Sequence, residues 1–295
     1  IDVRHTVGLV DPITRADQAE RIGDGLPETL EEVISAYGNR YFKLKVGGEA
    51  EADIERLEKI AAVLDCRSEP YFVTLDGNEQ YGDAESAAAF LGHARERPRL
   101  SRLFASTLYV EQPVRRSEAL TKPVGALAAF APVIIDESDG ELSSFPRARR
   151  LGYAGVSSKN CKGFYKSILN SARCEVWNRE APGRYFMSAE DLTTEPGLSV
   201  QQDLALVNFL GLTHVERNAH HFIDGFGGRP ESEVRAHLAA HPDLYAERGG
   251  HVRLCIADGK LSIGSLECAG FASAVPPHLE AIEPMPESKW RGAPI

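Results

Sequence analysis

The stretch YFVTLDGN, residues 71–78, decides the fold: a short apolar run ends on an acid, Asp76, and a Gly-Asn turn follows at once. The same layout returns in STLYVEQP, residues 106–113, ending on Glu111, and in APVIIDES, residues 131–138, ending on Asp136. Each run is short and rich in β-branched and aromatic residues, which reads as a buried parallel strand. In a (β/α)8 barrel the strand C-termini converge on one mouth, so acids at equivalent strand ends meet there. A single acid in that position has an alternative role as a helix cap. Three of them, spaced 35 and 25 residues apart, point to a shared divalent cation.

Working outward, strand-like runs recur at His5–Val10, Tyr41–Val46, Tyr71–Leu75, Thr107–Val110, Val133–Ile135, Ala154–Ser158, Tyr185–Ser188 and Thr213–Glu216. Helical patterns such as AEADIERLEKIAAVL lie between them, with Ile54, Leu57, Ile60, Ala61 and Leu64 at three- and four-residue spacing. Alternating strands and helices give βαβ units with right-handed crossovers. Eight strands predict an α/β fold, a (β/α)8 barrel over residues 1–248. The tail, 249–295, reads as an appendage: VRLCIADGKLSIG, residues 252–264, predicts two short strands around Asp258-Gly259.

A chain of 295 residues with 43% hydrophobic content is long enough for one such barrel. Its net charge of −10 argues against a nucleic-acid partner, and the run Arg147, Arg149, Arg150 reads as a solvated helix face. The five cysteines show no metal-binding spacing and read as free thiols in a reducing cytoplasm. No run reaches the ~18 apolar residues of a membrane span, and the N-terminus lacks a signal-peptide pattern, although the chain opens without Met. A cytoplasmic location is therefore expected.

Two lysine groups flank the acids. Lys43 and Lys45, in YFKLKVGG, have the period-two spacing that turns both ammonium groups to the barrel interior, while Phe42, Leu44 and Val46 face the helices. Lys159, at the end of YAGVSSKN, follows the acid trio by one strand; Lys162 falls on the next loop and is the lesser candidate. Hard oxygen ligands select Mg²⁺, with Mn²⁺ as the alternative. Asn78, Glu137, Glu190 and Glu216 are candidates for the pocket or for outer ligand positions. His214, His220 and His221 read as structural or surface residues, and the glycines of Asp224–Gly228 as a loop.

The ordered set K-L-K (43–45), D-G-N (76–78), E-Q-P (111–113), D-E-S (136–138) and SSKNCKG (157–163) resembles the barrel domain of the enolase superfamily. The resemblance implies that Asp76, Glu111 and Asp136 bind Mg²⁺, which holds a substrate carboxylate and stabilises the enolate left by α-proton abstraction. It also implies Lys45 and Lys159 as acid/base groups on opposite faces, with Lys43 tuning Lys45. The seventh run ends FMSAEDL, without the His of mandelate racemase relatives. The chain is thus more similar to the muconate-lactonizing subgroup, which pairs two lysines. The expected function is racemisation, epimerisation or cycloisomerisation of a small carboxylate; the alternatives are acid-sugar dehydration by β-elimination and a non-catalytic barrel used as a binding module. Relatives in this family are commonly homo-oligomers and carry an N-terminal capping domain. Here the chain opens at the first barrel strand, so a cap is expected to be absent or supplied by another chain.

Overall fold

The computed structural model describes residues 1–191, 196–217, 223–269, 272–277 and 280. Eight parallel strands close into a barrel in sequence order: β1 (Asp2–Val7), β2 (Tyr41–Lys45), β3 (Phe72–Asp76), β4 (Thr107–Glu111), β5 (Val133–Ile135), β6 (Gly155–Ser158), β7 (Phe186–Asp191) and β8 (His214–Arg217). Pairing of β1 with β8 completes the closure, with Arg4 opposite Glu216. The expected barrel is present. The first strand lies three residues earlier than its apolar pattern suggests, because Arg4 and Thr6 turn polar side chains inward and hide the strand from a search for apolar runs.

Helices α1 (Leu30–Tyr37), α2 (Ala50–Asp65), α3 (Ala84–Arg95) and α4 (Ser101–Ala105) cover the first half. Residues 118–130, EALTKPVGALAAF, have a helical apolar pattern but do not form one helix. Pro123 lacks an N–H and crowds the preceding turn, so the chain forms α5 (Arg116–Ala119) and α6 (Gly125–Ala128) on either side of it. Then follow α7 (Ser144–Arg150), α8 (Phe164–Asn178), α9 (Leu198–Phe209) and α10 (Glu231–Ala240).

Strand residues that face outward, among them Phe42, Leu44, Val73, Leu75 and Val156, form one buried core with the inner stripes of α2, α3 and α7. The core therefore lies between barrel and helices, which leaves the barrel interior free to be polar. Gly155 makes one close approach possible: a Cβ there would stand 2.7 Å from the Phe186 carbonyl oxygen and 2.8 Å from Ile134.

The C-terminal hairpin is present but displaced. Its strands are β9 (Tyr245–Arg248) and β10 (His251–Leu254), joined at Gly249-Gly250, both at positive φ. Asp258-Gly259 does form a tight turn, closed by reciprocal bonds between Ala257 and Lys260, but it yields only isolated bridges, one of them to Asp2. Among the described residues no helix is long and apolar enough to cross a membrane, and the five cysteines are free.

Candidate active site

Strand register sets the site. Lys45 on β2 lies beside Asp76 on β3, and Asp76 beside Glu111 on β4. Glu111 pairs with Ile134, so Asp136 stands two residues beyond it, just past the end of β5. On the far side Glu190 of β7 pairs with Glu216 of β8. Since alternate residues share a face, all these side chains enter the C-terminal mouth.

Lys43 is the centre. Its ammonium, 1% exposed, lies 2.5 Å from Glu216, 2.9 Å from Asp76, 3.2 Å from Glu111 and 3.8 Å from Glu190. Burial alone would lower its pKa, but these acids outweigh that and hold it well above the usual lysine value. Lys45 donates to Asp76 Oδ2 at 2.5 Å and to Asn78 Oδ1 at 2.9 Å. Across the mouth Lys159 lies 2.8 Å from both Asp136 and Glu190; burial is again overcome by the two acids, and the lysine stays protonated.

Lys162, ranked below Lys159 in the sequence, belongs to the same cluster. The 3-10 turn Asn160–Lys162 curls it back so that Nζ donates to Asp136 Oδ1 at 2.6 Å and to the carbonyls of Asp136 at 2.7 Å and Ser157 at 3.0 Å. The two oxygens of Asp136 are therefore held by different lysines. Gln112 is a further residue that sequence reasoning passed over. Its Oε1 accepts from the backbone N–H groups of Asp136 and Ser138, which fixes the loop after β5; its place inside the E-Q-P motif was the available signal. Asn78 bridges Lys45 to Glu137, donating to the latter at 2.7 Å. Asn78 and Glu79 sit at positive φ (43° and 67°), and such backbone strain gathers at functional sites.

A divalent cation has a natural anchor here. Glu111 is fully buried, and neither of its oxygens accepts a hydrogen bond, although Lys43 stands near one of them. Burial first, then the neighbouring acids, push its carboxyl up to about 8 against the pull of Lys43. Among the described residues the carboxylates close enough to share one ion are Glu111, Glu190 and Glu216, within 4.8 Å of one another. The sequence trio is spread more widely, with Asp76 and Asp136 engaged by lysines on either side and Glu111 common to both sets.

Beneath the acids lies a second polar layer. Thr6 donates to Glu216, and Arg4 donates to Ser188 and to the Ala189 carbonyl and meets His214 Nδ1 at 2.6 Å. His214 stacks on Tyr41, and burial with Arg4 pushes its pKa down to about 3, so it is a neutral structural residue. His220 and His221 lie outside the described residues.

No family model and no curated protein matches the sequence. Solved structures do. A mandelate racemase/muconate lactonizing protein from Herpetosiphon aurantiacus is 18% identical with a TM-score of 0.56, covering 89% of this chain and 64% of its own. The fold is that of the enolase-superfamily barrel. A dipeptide epimerase from Enterococcus faecalis is 16% identical (TM-score 0.52; 73% of this chain, 55% of that one). An enolase from Bradyrhizobium, complexed with magnesium and mandelic acid, is 16% identical (TM-score 0.52; 88% and 57%). The chain thus spans less than two thirds of the length of these enolase-superfamily structures.

The acids give a pH signature with a definite sign. Glu111 and Glu190 are raised, to about 8 and about 7, chiefly by burial. Stability from a raised carboxyl is full below its ordinary value and is lost as pH rises through the folded value. Asp136 and Glu216 are lowered to about 2: burial would raise them, but Lys162 and Lys159 at the first, and Lys43 and Arg4 at the second, prevail. Their stabilisation is present above the ordinary carboxylate range and is lost as pH falls toward 2. The chelated protein should therefore be most stable near about pH 5 and lose a few kcal/mol by about pH 8. Melting curves in EDTA across that range test this; a melting temperature that climbs from pH 5 to 8 contradicts it.

Proposed function

We propose that the chain is a Mg²⁺-dependent member of the enolase superfamily that removes the α-proton of a small carboxylate substrate, with racemisation, epimerisation or cycloisomerisation as the outcome. One observation carries the proposal: Lys45 and Lys159 approach one buried ring of acids from opposite sides of the barrel mouth. A base and an acid on opposite faces of a planar intermediate are what inversion at a carbon α to a carboxylate requires. Asp76, Glu111 and Asp136 are the proposed metal ligands, with Glu190 and Glu216 facing them. A bound divalent cation supplies positive charge that fixes a carboxylate and favours the negative charge developing on it.

The chain's own residues divide the remaining work. Lys159, ionised by Asp136 and Glu190, is set to donate a proton. It becomes a base once those acids turn to another cation, because they are what keep it charged. Lys43 holds four acids together under the reacting centre. Lys162 keeps Asp136 oriented whether or not Lys159 carries its proton.

A cover over the mouth is part of the same proposal. Leu9, Val10, Ile22, Leu142, Phe164 and Tyr165 are exposed large apolar residues, all on segments that follow β1, β5 or β6. An apolar rim around a polar site suits a capping segment or partner that excludes water and strengthens the electrostatics within.

Calorimetry with MgCl2 tests the metal assignment. The wild type should bind one ion per chain, and Asp136→Ala and Glu111→Gln should each weaken binding by at least about tenfold. No heat at millimolar Mg²⁺ would favour the non-catalytic barrel instead. Retained affinity in Asp136→Ala with loss in Glu190→Gln would move the ion onto the three glutamates.

A further inference from the structure

Helix α8 is built inside out. Its buried positions are mostly polar: Lys166, Ser167 and Asn170, with Cys174. Each of the polar three is bonded, Lys166 to Asp139 Oδ2 at 3.2 Å, Ser167 to Ser158 at 2.8 Å and Asn170 to Arg173 at 2.9 Å. Its exposed positions are Phe164, Tyr165, Leu169, Ala172, Glu175 and Val176, so a single charge stands among apolar and aromatic side chains. A surface helix ordinarily turns its apolar stripe inward and its charges outward. Here the inward face is anchored to the loop after β5 and to β6, and among the described residues nothing covers the outward stripe.

Two neighbours widen it. Phe209, at the end of α9, is 66% exposed, and its ring lies 6.0 Å from that of Phe164, which in turn meets Tyr165, 84% exposed, at 5.6 Å. Leu142, on the loop after β5, is exposed beside the third turn of α8, where its carbonyl accepts from Arg173 at 2.8 Å. With an aromatic side chain offering about 150–250 Å², the exposed parts of these residues come to about 700 Å². The largest apolar patch of a monomer is about 300–600 Å², and a standard interface takes about 800 Å² from each partner. The face is thus large enough to carry most of a dimer contact.

The direction of α8 separates this face from the mouth. Phe164 and Tyr165 start at the rim, but the helix runs back along the barrel, as a crossover between parallel strands must, and Val176 lies about 16 Å below Tyr165. A cover over the mouth therefore leaves Leu169 and Val176 in water. Charge selects the occupant. A chain of net charge −10 repels a copy of itself across most of its surface, whereas this stripe brings only Glu175 to the contact. We propose that a second copy of the chain docks here, α8 against α8 about a twofold axis, so that each stripe covers the other. The inference is independent of the reading of the mouth.

Sedimentation velocity on the full chain in EDTA, at about 50 μM, reads the result. The wild type should run as a dimer of the 32.2 kDa chain. A variant with Leu169→Glu and Val176→Glu should run as a monomer with unchanged far-UV circular dichroism. Tyr165→Glu, at the most exposed position of the stripe, should by itself weaken association by about tenfold or more. Mixing the Glu pair with a chain carrying Leu169→Lys and Val176→Lys should restore a dimer, because facing copies of one patch gain from opposite charges. The proposal is overturned if the wild type is monomeric, which leaves the face to a capping segment or another protein. It is also overturned if the dimer survives both Glu variants, which puts the contact elsewhere, or if the mixture stays monomeric, which means that two different faces meet.

Discussion

Lys159→Met is expected to slow α-proton exchange from one face of a carboxylate substrate by about 10²- to 10⁴-fold, the usual share of a positioned acid/base group. Exchange from the other face, which the proposal gives to Lys45, should continue. The fold should survive, because Asp136 keeps Lys162 on Oδ1, and Glu190, already pushed up to about 7, can take a proton. Loss of the α-proton signal in deuterated solvent, followed by NMR over a panel of N-acylamino acids and dipeptides, reads the result directly. Lys45→Met should show the mirror pattern. Unchanged exchange at both faces in Lys159→Met would remove the two-base assignment, whereas loss at both faces in either variant would mean one lysine serves both.

The acids and lysines of the first six strands were legible because strand ends are legible. Asp76, Glu111 and Asp136 each close an apolar run, and parallel register brings such ends to one level. Lys43 and Lys45 were legible from alternation alone. Glu190 and Glu216 could be named but not paired with Glu111, because β4 faces β7 and β8 only after closure of the sheet, a long-range event with no local signal. Lys162 was underrated for a different reason: the turn that returns it to Asp136 depends on Gly163, at φ +108°, and on the tertiary pull of two carbonyls. Asp-Gly is the stronger hairpin signal in the tail, yet the longer pairing formed at Gly249-Gly250, where Tyr245 and Val252 bury their side chains in an apolar cluster with Val3, Val200, Leu204 and Val215, separate from the core between α2, α3, α7 and the barrel. The helix Glu231–Ala240, whose buried face presents Val234 and His237, has too few apolar residues to stand out in the sequence.

Lys43→Met should be the most destabilising single change at the site. Methionine nearly matches the volume but removes the one charge shared by four acids, all of them at most 7% exposed. Removing one partner of a buried ion pair costs about 3–5 kcal/mol, because the charge left behind has neither water nor a counter-ion. Here Glu111 would keep no cation within reach of its unbonded oxygens, so it must stay protonated for the barrel to hold. The loss should therefore deepen from about pH 6 to about pH 8, where the unfolded carboxyls are fully ionised. A divalent cation offers the acids a replacement charge. Ion binding to the folded state alone, at about 100 times its dissociation constant, stabilises by about 2.7 kcal/mol, enough to restore much of the deficit. Urea titrations of wild type and Lys43→Met at pH 8, in EDTA and in millimolar MnCl2, separate the contributions. Equal stability of the two proteins in EDTA would show that the acids do not need the lysine's charge, and a deficit untouched by Mn²⁺ would show that this pocket of acids does not take a metal.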